Sequence, residues 1–221
     1  MRKILLIILG SILIVVAGIF TFRALTVRNS FELNLESDCD VQFLVDGVGR
    51  SRSNTTFRNG LTRLASTTAS ANPTFYKVGS NDSVKAVTSS KYFLKKELVL
   101  RTTNDYGQIR VAINLDSDNS EELNNALRVM LVIDGRSYIF APGKNPNLKY
   151  KGVAGSESGK ATYNSENEEI SRLERTYVIP EFEMFQEFKA TIYIWYEAKD
   201  GSVSNFKASG KHNTKLNIAF C

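Results

Sequence analysis

Two hydrophobic patterns divide this chain. From Ile4 to Phe22 (ILLIILGSILIVVAGIFTF) the residues are almost continuously apolar, with no charge and no proline. From Ser30 onward, apolar residues recur at every second position instead. The first pattern fits a helix of roughly 28 Å, about the thickness of a bilayer's hydrocarbon core, with every backbone polar group satisfied internally. The second is the pattern of strands with one buried face. Phe31, Leu33 and Leu35 alternate with Glu32, Asn34 and Glu36, and Val41, Phe43 and Val45 lead to an Asp46-Gly47 turn. Short strands are expected at 75–78 and 84–88, and firmer ones at 98–100, 109–115, 137–141, 190–196 and 216–220. Leu127 to Ile133 is the strongest, and the Asp134-Gly135 pair after it signals a two-residue hairpin. Tyr177-Val178-Ile179 meets Pro180, which restricts it to an edge or a strand end. Ala190, Ile192, Ile194 and Tyr196 alternate with Thr191, Tyr193 and Trp195, so this strand is expected to be central and covered on both sides. Phe182, Phe185 and Phe188 are expected to cap the core.

Two regions break the alternation. Residues from about Gly49 to Asn72 are rich in Ser, Thr, Arg and Asn, and read as a surface insertion with a weak helix or long loop around Leu61 and Leu64. Residues 143–170 are polar and glycine-rich and read as a long exposed loop. A short helical turn is expected after Ser120, which would cap it, with Glu121 and Glu122 at its positive end. Nine or ten short strands with almost no amphipathic helix imply an all-β fold, an antiparallel β-sandwich. The chain divides into a cytoplasmic stub (1–3), a transmembrane signal anchor or signal peptide (4–22), a linker (23–29) and an extracytoplasmic β-sandwich domain (30–221).

Arg2 and Lys3 precede the apolar segment and favour a cytoplasmic amino terminus; Arg23 and Arg28 on the other side blunt that asymmetry. The position of the segment at the very start of the chain favours export of the domain behind it. The small residues near Ala17-Gly18 and Ala24 are the candidate cleavage points of a secretory signal, whose apolar centre is ordinarily shorter. The expected location is therefore a single-pass membrane protein with an extracytoplasmic domain, or a secreted one if the leader is removed. The net charge of +5 changes little: Arg50, Arg52, Arg58, Lys95, Lys96 and Lys149 are scattered along the chain, without the stripe a nucleic-acid partner requires. Such a surface suits attraction to an anionic wall or lipid.

The two cysteines, Cys39 and Cys221, follow the first and last strand candidates. In an exported protein they form a candidate disulfide, which requires those strands to be neighbours. Closing so long a loop would contribute roughly 5 kcal/mol in the chain-entropy model. The alternative is a pair of free thiols. Metal binding by these cysteines and His212 lacks the required spacings.

Little else suggests chemistry. Asp116, Asp118, Ser120, Glu121 and Glu122 superficially resemble a calcium loop, but Glu121 and Leu127 stand where an EF-hand needs glycine and glutamate, which leaves a solvated loop that caps a helical turn or an irregular calcium site. His212 is the single histidine, in a polar SGKHNTK segment with no nucleophile motif nearby. Asn54-Thr55-Thr56 and Asn81-Asp82-Ser83 match glycosylation acceptors. Trp195 and its tyrosine neighbours alternate as core residues do, which outweighs their reading as a ligand platform. No catalytic, cofactor-binding or metal-binding residues are assigned, and the chain is read as non-enzymatic.

Two segments, NNALRVMLVIDGRSYIFAPG (Asn124 to Gly143) and FKATIYIWYEAKDGSV (Phe188 to Val203), followed by TKLNIAF, resemble the later part of the TasA/camelysin-type exported proteins of Gram-positive bacteria. FTFRALTVRNS stands where that family has a Tyr-Phe-Ser/Asn-Asp type segment. The resemblance implies a jelly-roll-like sandwich and a structural role in matrix fibres or surface appendages. It also implies self-association, in which an amino-terminal strand of one subunit, here Ser30 to Glu36 or the segment just before it, completes the sheet of the next. Protease activity ascribed to camelysin-type members finds no metal-binding motif here. The alternative role is a membrane-tethered module that binds a cell-wall polymer or host surface through loops at 49–72 and 143–170.

Overall fold

The computed structural model describes residues 30–37, 40–58, 60–68, 70–78, 84–104, 109–141, 152–153, 176–179, 183–198 and 213–220. Fifteen strands and one short helix occur among them. The expected apolar segment at 4–22 lies outside the described residues, among which no helix is long and apolar enough to cross a membrane.

The strands are β1 (Ser30–Ser37), β2 (Val41–Val45), β3 (Val48–Arg50), β4 (Arg52–Arg58), β5 (Leu64–Thr67), β6 (Phe75–Val78), β7 (Val84–Val87), β8 (Phe93–Thr102) and β9 (Ile109–Ser117). Helix α1 (Glu121–Ala126) follows, then β10 (Leu127–Ile133), β11 (Arg136–Phe140), β12 (Gly152–Val153), β13 (Thr176–Ile179), β14 (Glu187–Glu197) and β15 (Asn213–Phe220). One sheet runs β13-β9-β15-β1-β4. The other runs β12-β11-β10-β14; beyond β14, β8 pairs along most of its length and leads to β2 and β3. The last residues of β14 pair with β5, which leads to β6 and β7.

Alternation places the core. In β1, Phe31, Leu33 and Leu35 point inward; in β15, Leu216, Ile218 and Phe220 do; in β10 and β14, Val129, Leu131, Ile192 and Ile194 meet them in one buried cluster. Phe43 of β2 meets Phe220 edge to face at 5.5 Å, joining the two sheets. A second cluster lies on the outer face of the larger sheet, where the β5–β7 meander covers Trp195. Phe75 stacks on Phe93 at 4.1 Å and meets Trp195 at 5.4 Å. β14 is thus covered on both faces, as its double row of bulky residues implies. Asp46-Gly47 and Asp134-Gly135 all have positive φ, the geometry of two-residue hairpins, and join β2 to β3 and β10 to β11.

Four expectations are corrected. The sandwich is mixed rather than antiparallel: β1 pairs with β15, and β14 with β5, in parallel. Alternation marks faces and carries no strand direction. The Gly49–Asn72 region is not a surface insertion: it holds β3, β4 and β5, with Leu61 and Ala65 buried. Strand β4 escapes a hydrophobicity reading because an edge strand with one half-buried row needs few apolar residues. The strand count exceeds nine or ten because β3, β4, β5 and the two-residue β12 are strands that the alternation does not announce. Finally, Phe188 joins the core, but Phe185 is 60% exposed on a turn between Glu183 and Gln186; Phe182 lies outside the described residues.

Candidate functional site

The feature with functional consequence is the seat of β1. This strand comes first among the described residues yet lies inside its sheet. It pairs in parallel with β15 from Ser30 opposite Asn213 to Ser37 opposite Phe220. On its other side it pairs antiparallel with β4, from Ser30 opposite Arg58 to Glu36 opposite Arg52. Phe31, Leu33 and Leu35 are at most 3% exposed. Burying three such side chains contributes on the order of 5–9 kcal/mol. Whole domains are stable by roughly 5–15 kcal/mol. A domain whose β1 left this slot would need another strand in it. Side-chain bonds fix the register: Ser30 Oγ donates to Asn213 Oδ1 (2.7 Å) and Asn34 Nδ2 to Asn217 Oδ1 (2.9 Å).

The outward face of the same sheet is polar and regular. Asn54, Asn34, Asn217 and Asn114 fall opposite one another across β4, β1, β15 and β9. The neighbouring row is Thr56, Glu32, Lys215 and Asp116. Sequence reading missed this grid because its members lie far apart in the chain, and only register brings them together.

The Asp116–Glu122 run is used structurally. Asp116 lies in β9 opposite Lys215. Asp118 Oδ1 accepts from the Asn213 N–H (2.9 Å), and Ser120 caps α1 by accepting from Leu123 N–H (3.4 Å). The Glu122 carboxyl is held below its usual range by its own backbone N–H and by the Ser120 hydroxyl. Among the described residues, no group of three or more His, Cys, Asp and Glu side chains is placed to hold a metal ion.

Next to this run the sandwich closes on a polar cluster that the sequence did not reveal. Asn119 Nδ2 donates to the Tyr196 hydroxyl (3.1 Å) and to Thr214 Oγ1 (2.9 Å). Burial pushes the Tyr196 phenol from 10.0 up to about 12, against the pull of its bonds with Thr214 and Asn119. Trp195 is 1% exposed and donates to Glu197 Oε2 (2.9 Å), so it packs rather than presenting a platform.

Cys39, Cys221, His212 and the acceptor at Asn81 lie outside the described residues; Asn54 lies on the exposed side of β4. The strands that precede the two cysteines in the sequence, β1 and β15, are neighbours, with Ser37 opposite Phe220. A scan against models of known protein families finds no match to the chain, and a search among curated proteins finds no similar sequence.

Proposed function

We propose that this protein is a non-enzymatic structural component of a bacterial cell surface. Its β-sandwich is exported behind residues 4–22 and assembles into a matrix fibre or appendage by exchange of its first strand. The seat of β1 carries this reading: a terminal segment holds a central position that the same segment of a second copy fits equally well. The TasA/camelysin-type resemblance of Asn124 to Gly143 and Phe188 to Phe220 agrees with it, and in this reading the sandwich is jelly-roll-like. In this reading Cys39 and Cys221 pair across subunits where β1 is exchanged, and no cofactor or nucleic acid takes part.

The test is the intact mass and assembly state of the full-length gene product isolated from its native envelope. Strand exchange requires a mature protein that begins after Ala17 to Ala24 and oligomers that grow with concentration. A mass that retains Ile4 to Phe22, with a monomeric domain at every concentration, would refute it. That outcome would favour a tethered module for a wall polymer or host surface. The observation that favours this second reading is the regular asparagine grid on the outer face of β4, β1, β15 and β9.

A further inference from the structure

The segment Val48–Arg58 forms an edge twice over. Among the described residues β3 ends one branch of the larger sheet, β4 ends the smaller sheet, and only Ser51 separates them. Ser37 N–H donates to the Ser51 carbonyl (2.9 Å) at this corner. Among the described residues β4 pairs with β1 alone. Every second residue on its far side therefore directs N–H and C=O away from the sheet, a template for one more strand.

The side chains on this edge select what is added. Arg50, Arg52 and Arg58 are exposed, and no acidic residue lies between Val48 and Arg58. Pairing with a second β4, antiparallel and centred on Thr55, would set Arg52 against Arg58 at both ends. Like charges directly opposite are destabilising, so the edge rejects its own copy. The strand it already accepts shows the complement. In β1, Glu36 stands opposite Arg52, Asn34 opposite Asn54 and Glu32 opposite Thr56.

We propose that the free edge of β4 is a docking site for an extended acidic segment of another protein, added as an antiparallel strand. Its carboxylates occupy alternate positions beside Arg52 and Arg58, and small apolar or hydroxyl side chains occupy the positions between. Affinity comes from the backbone ladder and selectivity from the arginines. β1 stays in its seat, so the docking does not depend on strand exchange.

The test uses the full-length protein in detergent micelles and a fluorescent peptide of Glu-Val repeats, followed by anisotropy. Binding is expected with the native protein. The R52E/R58E variant is expected to bind at least about tenfold more weakly, from the loss and reversal of cross-strand charge pairs. A Lys-Val peptide should bind that variant in place of the native protein. A fully N-methylated Glu-Val peptide keeps the charge but has no backbone N–H, and should not bind the native protein. This comparison needs no variant, so it holds even if the double substitution disturbs folding. Absence of binding to the native protein would overturn the proposal. So would equal binding of the N-methylated peptide, the mark of a polyanion held by charge alone, or equal binding to a folded R52E/R58E.

Discussion

Tyr196 shows how one residue can couple the core to pH. Its hydroxyl sits under Asn119 and Thr214, and its phenol is raised from 10.0 to about 12. A group raised in the folded state contributes fully below its unfolded value and loses that contribution as pH climbs through the folded one. Denaturant unfolding should therefore show stability falling between about pH 10 and pH 12, by roughly 2–3 kcal/mol from this residue. Tyr196→Phe should flatten that fall and lower stability near neutral pH by about 1 kcal/mol, because Asn119 loses an acceptor. Leu33, fully buried at the centre of β1, should cost about 2–5 kcal/mol as alanine, read from the urea midpoint. Leu33 was legible as core from alternation alone. The Tyr196 cluster was not, because Asn119 and Thr214 are 95 residues apart and carry no local signal of their meeting.

Among the elements, the two Asp-Gly hairpins were the most legible, since turn chemistry is local. At Gly135, φ is +73° and an added Cβ would meet nothing within 4 Å, so an alanine there would strain the backbone alone. Gly135→Ala should lower the melting stability by about 1–2 kcal/mol. Asp134→Asn should leave it unchanged or raise it slightly, because asparagine tolerates the same left-handed backbone. Strand β4 was the least legible element. Its RSNTTFR sequence reads as loop, and only pairing with Phe31, Leu33 and Leu35 across the ladder makes it a strand. Edges are where propensity and structure part, since an edge strand answers to one neighbour and otherwise to water.

At the scale of the molecule, an all-β sandwich could be read from period-two patterning, but its parallel pairs could not. Those pairs join segments far apart in the chain, and one of them bears on assembly. The end of β1 lies beside the end of β15 whichever chain supplies β1. If β1 is exchanged and the expected bond between Cys39 and Cys221 forms, that bond links one subunit to its neighbour. Fibres should then resolve under denaturing, non-reducing electrophoresis as a covalent ladder that collapses to monomer on reduction. A monomer that moves faster before reduction than after it would show the bond closed within one chain. The same parallel pair also has a mechanical meaning. A pull applied through Ser30 at one end and Phe220 at the other enters and leaves β1 and β15 at opposite ends of their ladder. Its hydrogen bonds are loaded together in shear instead of being unzipped one at a time. A domain held by its amino terminus and tugged at its carboxyl end would meet the force with its most cooperative seam.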